Sequence, residues 1–170
     1  MAITLDGSNL TTTGVINSGT AQNSTSGTSI NFTGIPSGVK RITVLLSGVS
    51  TNGTSNPIIQ LGTSGGVQTT SYSGSLWTAN TTNNLNSTGF LISGTPSASV
   101  ILESVITLCL FNSATGLWVA SVITSRSDAA TSNVGSGSKT LSGTLDRVRI
   151  TTVNGTDTFD AGSINILYEG

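Results

Sequence analysis

Few residues in this chain are able to do chemistry. It has no histidine and a single cysteine, Cys109. Ser-His-Asp and Cys-His catalysis need an imidazole to take the proton, so both are excluded. Zinc centres built on histidine or on several cysteines are excluded with them. No G-x-x-x-x-G-K-[ST] phosphate loop is present, and Ser64-Gly65-Gly66 reads as a turn. Carboxylate chemistry remains. Seven acids are available: Asp6, Glu103, Asp128, Asp146, Asp157, Asp160 and Glu169. A glycosidase needs two facing carboxylates, and Asp157 and Asp160 lie close together in Thr156-Asp157-Thr158-Phe159-Asp160. Aspartates in such a stretch serve turns by hydrogen-bonding nearby backbone. A calcium site near Asp157 and Asp160 would need more oxygen ligands than can be identified there. The expectation is a non-enzymatic protein with no cofactor and no metal.

The other singular residues are read for packing first. Glu103 interrupts an apolar run and is expected to face solvent or to pair with Arg126, Arg147 or Arg149. Cys109 lies within Val105-Ile106-Thr107-Leu108-Cys109-Leu110-Phe111 and reads as a small buried hydrophobe. Trp118 sits in a strand-like run and reads as core. Tyr72 and Trp77 fall in a polar stretch expected to be mostly loop, where a tryptophan is harder to explain by packing alone. They are the candidate interface or ligand-contact residues, because aromatics anchor subunit contacts and stack on sugars.

The elements that position these residues follow from composition. With 170 residues, the chain is the size of one domain. Charged residues are 8% and hydrophobic residues 35%, and Ser, Thr, Asn and Gly fill the difference. Disordered chains pair low hydrophobicity with high charge, and this chain lacks the charge. Thr favours strands, while Gly and Asn favour turns. The net charge of −1 leaves no electrostatic footprint for nucleic acid or an anionic membrane. No apolar stretch approaches the length of a membrane-spanning helix, so no membrane insertion is expected. Met1-Ala2-Ile3-Thr4-Leu5-Asp6 lacks a basic region followed by an apolar core, so synthesis in a cytoplasm without standard export is expected.

Residues 1–25 are polar and poorly patterned. They are expected to form an extended arm that orders on a neighbour or on its own domain, with residues 26–170 as the folded domain. Strands are expected over Ser29–Thr33, Val39–Val49, Ile58–Leu61, Phe90–Ile92, Leu145–Val153 and Ser163–Tyr168. Asn52-Gly53 and Asn154-Gly155 supply turns. The clearest element runs from Ser99 to Ile123, with a five-residue hairpin loop at Asn112-Ser113-Ala114-Thr115-Gly116. Its first strand is apolar on both faces, which belongs inside a sandwich or at a subunit interface. Residues 71–87 and 127–138 read as loops. No segment shows sustained helical periodicity. About eight to ten strands predict an all-β antiparallel sandwich or jelly roll.

Two long blocks carry a family resemblance. The first comprises Gly34-Ile35-Pro36-Ser37-Gly38-Val39-Lys40-Arg41-Ile42-Thr43-Val44, Gly48-Val49-Ser50-Thr51-Asn52-Gly53-Thr54-Ser55 and Ile59-Gln60-Leu61-Gly62; the second runs from Gly143 to Ile166. Together they flank most of residues 30–170, and they resemble tailed-phage virion structural proteins of the tail-fibre-like and capsid-decoration kind. The opening from Met1 to Asn9 is similar to starts seen among marine and cyanobacterial phage structural proteins. No catalytic residue transfers with these blocks. The resemblance implies a β-rich homotrimer located on the virion surface. A short arm without a shaft favours a capsid decoration (cement) protein bound to the major capsid protein or another virion protein. The alternative is a tail-fibre tip that recognises the host surface, with a host-surface glycan as ligand, and a lectin-like module overlaps with that alternative.

Overall fold

The computed structural model describes residues 16–78, 84–94, 96–98, 100–128 and 131–170. Residues 1–15 of the expected arm lie outside these. Among the described residues the ordered elements are strands: β1 (Asn17–Ser18), β2 (Gln22–Asn23), β3 (Ser29–Thr33), β4 (Arg41–Thr51), β5 (Pro57–Thr63), β6 (Gly66–Val67), β7 (Ser73–Thr78), β8 (Asn84–Leu85), β9 (Phe90–Leu91), β10 (Leu102–Asn112), β11 (Leu117–Arg126), β12 (Ser132–Thr140), β13 (Arg147–Thr152) and β14 (Phe159–Glu169). The fold is an antiparallel β-sandwich. The large sheet has the order β1-β14-β4-β10-β11-β12-β7-β8, with β2 also on β14; the small sheet has the order β3-β13-β5-β6, with β9 also on β5.

One core lies between the sheets. On β10, Leu102, Ile106 and Leu108 are buried, as are Ile42, Val44 and Leu46 on β4 and Trp118, Ala120 and Val122 on β11. The small sheet answers with Ile30, Phe32, Ile59, Leu61, Val148 and Ile150. Each set follows the period of two that sends alternate side chains to opposite faces. At one end the core turns polar. Thr78 Oγ1 donates to Asn133 Oδ1 at 2.5 Å, Asn133 Nδ2 donates to Ser93 Oγ at 3.2 Å, and the Ser104 and Thr124 hydroxyls share a bond of 2.6 Å. These groups are buried but partnered, so their desolvation is offset.

Two stretches read as loops in the sequence are strands, and both bear on the site. Residues 132–140 form β12 rather than loop, because this strand turns its glycines inward. A Cβ on Gly137 would stand 2.6 Å from Ser73 O and 3.0 Å from the Phe90 ring. Gly74 lies directly opposite on β7, so the bare pair lets β9 close over this end of the sheet. Residues 73–78 likewise form β7, which carries Trp77. At the start, the described part of the arm takes the second of its two expected courses: β1 pairs with β14 through Asn17↔Tyr168 and β2 through Ser163↔Asn23. Residues 17–23 are thus laid on the edge of their own sheet.

Candidate functional site

The outer face of the large sheet is assembled from register. Reading across six adjacent strands from β14 to β7, Asn165, Leu45, Val105, Ile123, Val134 and Trp77 stand directly opposite one another in sequence. Alternation sends all of them outward. The last four remain 51%, 58%, 49% and 52% exposed. At roughly 4.8 Å per strand the apolar part of this row, the ridge from Leu45 to Trp77, is about 19 Å long. The chemistry that makes it is local: β10, β11 and β12 each place a β-branched residue at the matching position on the outward parity.

A row of small hydroxyls runs beside the ridge. It passes through Thr43, Thr107, Ser121, Ser136 and Ser75, ending at Leu85 on β8, which is 81% exposed. Below it come Cys109, Val119, Ser138 and Ser73. Serines floor a shallow depression of about 400 Å³ between Leu85 and Val119. The face is therefore a ridge beside a trough. Its charges sit at the margins. Arg41 pairs with Glu169 at the β4–β14 side. The Glu103 carboxylate is engaged, with the Gly48 N–H donating to its Oε1 at 2.8 Å.

That bond explains Glu103. The β4–β10 register shifts between Leu102 and Ser104, and such a bulge strands a backbone N–H. Gly48 (φ +67°) lies at the shift against Gly162 (φ +86°), whose Cβ would stand 2.4 Å from Gly48 O. Only glycine fits that approach and that dihedral. Glu103 is exposed and supplies the missing acceptor, so it faces solvent as expected; none of the three expected arginines is its partner. Arg126 pairs instead with Asp128, whose carboxyl the Arg126 hydrogen bond holds below the usual range.

The candidate aromatics separate. Trp77 belongs to the exposed ridge, on a strand rather than in a loop. Tyr72 is corrected to core: it is 5% exposed and its ring meets Phe90 edge-on at 5.0 Å. The Leu61 N–H donates to its hydroxyl at 2.7 Å and the hydroxyl donates to Gln68 O at 2.9 Å. Burial pushes this phenol up to about 12, against the Leu61 hydrogen bond and the nearby Arg149 charge. Lys139 lies over the ring at 5.2 Å and donates to Thr70 O at 2.9 Å; its own burial lowers its pKa. Trp118 is core, as expected. Cys109 is corrected too, since it is exposed on the outer face. Asp157 serves its turn: the Ser55 N–H donates to Oδ2 at 2.9 Å and Asn154 Nδ2 to Oδ1 at 2.6 Å. Among the described residues no three His, Cys, Asp or Glu side chains cluster to hold a metal.

The ridge itself eluded the residue-by-residue reading. The two-faced apolar character of β10 was its one visible trace; the alignment of Ile123, Val134 and Trp77 with Val105 depends on registers set by pairing. Compared with protein-family models, with curated proteins and with solved structures, the chain matches none.

Proposed function

We propose that the protein is a non-enzymatic structural subunit of a tailed-phage particle, a capsid decoration protein whose large-sheet face is covered by another virion protein or a sister subunit. The observation that carries the reading is the ridge of Val105, Ile123, Val134 and Trp77 standing half exposed, with Glu103 the charged neighbour two positions from Val105 on the same face. Contiguous apolar patches of several hundred Å² on a soluble chain mark interaction sites. The resemblance of the blocks at 34–62 and 143–166 to virion proteins supplies the kind of assembly.

A second reading, a tail-fibre tip that recognises a glycan, is favoured by one feature. Trp77 is an exposed aromatic on the same face as the serine-floored trough, and such a platform stacks on sugar rings. Copy number separates the two. Quantitative mass spectrometry of purified particles is expected to find hundreds of copies per particle. A few dozen or fewer would favour the tail, and absence from particles would overturn both.

A further inference from the structure

The small sheet carries a different feature on its own outer side. Three of the four arginines have carboxylate partners: Arg41 with Glu169, Arg126 with Asp128 and Arg147 with Asp146. Arg149 on β13 has none among the described residues. Its Nε and Nη2 both donate to Gln60 Oε1, which stands directly opposite on β5. Gln60 is 4% exposed and is itself fixed, its Nε2 donating to Thr88 O at 2.7 Å. A buried amide thus holds one edge of a guanidinium and leaves the Nη1 donors and the second Nη2 donor uncommitted. That remaining edge is the end-on fork that matches a carboxylate.

Arg149 lines an open cleft of about 340 Å³ whose other walls are mostly hydroxyl and amide groups, among them Thr28, Thr88, Thr151, Thr152 and Asn154, with Val153 the one apolar side chain. The hydroxyl protons here are already placed. Thr151 Oγ1 donates to Thr28 O at 2.8 Å, Thr152 Oγ1 to Asn154 Oδ1 at 2.7 Å and Thr88 Oγ1 to Asn86 Oδ1 at 2.9 Å. Each of these oxygens keeps acceptor capacity. The cleft therefore offers one cationic fork and a set of acceptors, the complement of a ligand with one carboxylate and several hydroxyl donors. Its volume falls in the range of small-molecule sites.

We propose that this cleft binds a small hydroxyl-rich carboxylate, the chemistry of an acidic monosaccharide, with Arg149 gripping the carboxylate and Gln60 positioning the guanidinium. The site lies on the sheet opposite the ridge and does not depend on what covers it.

The test is a titration of the full ¹⁵N-labelled chain with glucuronate, glucose, acetate and inorganic phosphate, read by amide chemical shifts. Glucuronate is expected to give saturable shifts at Thr28, Ser29, Thr88, Asn154 and Gly155. Glucose and acetate, each holding half of the chemistry, should bind at least about tenfold more weakly, and so should Arg149→Gln toward glucuronate, by the worth of hydrogen bonds to a charged group. Arg149→Lys, which keeps the charge and loses the fork, should also weaken binding. No saturable shift with glucuronate up to ~10 mM would overturn the proposal. So would equal binding of glucose, equal binding of phosphate, or shifts centred elsewhere in the unmodified protein, results that stand even if a variant fails to fold.

Discussion

Ile123→Asp puts the ridge to the test. Ile123 is flanked on the outer face by Val105 and Val134, yet 58% of it is exposed. In the isolated chain the substitution removes little packing. The main cost is the poor fit of Asp to a central strand, about 1 kcal/mol, which lowers Tm by about 2–4 °C for a domain of this size. In the assembled state the accounting differs. Full burial of an Ile side chain is worth about 1.5–3 kcal/mol, and more than half of that is still to be gained on docking. A carboxylate at that position must also be desolvated without a partner, at several kcal/mol. Association should therefore weaken by at least about 3 kcal/mol, more than a hundredfold. Urea unfolding reads the first quantity, and the copy number of variant protein in particles reads the second. Ile123→Thr, which keeps the β-branch, should fall between. Wild-type loading of particles by Ile123→Asp would refute the assignment of this face. A stability loss above about 3 kcal/mol would refute the premise that the ridge is unpacked in the chain itself.

Three further outcomes follow from the described geometry. Glu103→Gln keeps an acceptor for the Gly48 N–H and should unfold within about 0.5 kcal/mol of the parent in urea, while Glu103→Leu should lose about 1–2 kcal/mol; equal losses would dismiss the bulge account. Tyr72 gives a pH signature. An acid whose pKa is raised from 10.0 to about 12 on folding holds its proton longer when folded, so its stabilisation is complete below about pH 10 and is lost as pH climbs through about 12, some 3 kcal/mol in all. Parent minus Tyr72→Phe unfolding curves across that window isolate the term, and an unchanged difference would count against the burial. Cys109 should react stoichiometrically with a thiol reagent in the native state, and protection until unfolding would place it inside after all.

What the sequence disclosed depended on where its apolar residues point. β3, β4, β5, β10, β11, β13 and β14 carry inward hydrophobes at a period of two, so their existence and the all-β class were legible. β12 was not. Its inward positions are Asn133, Gly135, Gly137 and Lys139, and its one apolar residue, Val134, points out. Such a strand inverts the usual pattern, and pairing with β11 and β7 overrides it. Misreading β12 and β7 as loops hid the ridge, because half of the ridge is Val134 and Trp77. Cys109 was misplaced for a related reason: in a strand apolar on both parities, composition cannot say which parity faces the core. Arg149 alternates with the buried Val148 and Ile150 on β13, but its partner Gln60 comes from β5, 89 residues away, and no local pattern announces it.

The two short strands laid on β14 have a consequence for the protein's solubility. β14 is eleven residues long, and an open edge of that length would template pairing with any passing strand. Many soluble proteins keep such encounters apart by mutual repulsion, but a chain of net charge −1 has almost none to offer. Here the Gly19 N–H donates to Ile166 O at 2.8 Å and the Ser24 N–H to Gly162 O at 2.9 Å, so the chain occupies its own most adhesive border. Among the described residues the sheet ends at its far side in β8, just two residues long. In a chain with so little charge to repel its neighbours, covering the β14 border works against the edge-to-edge pairing from which fibres grow.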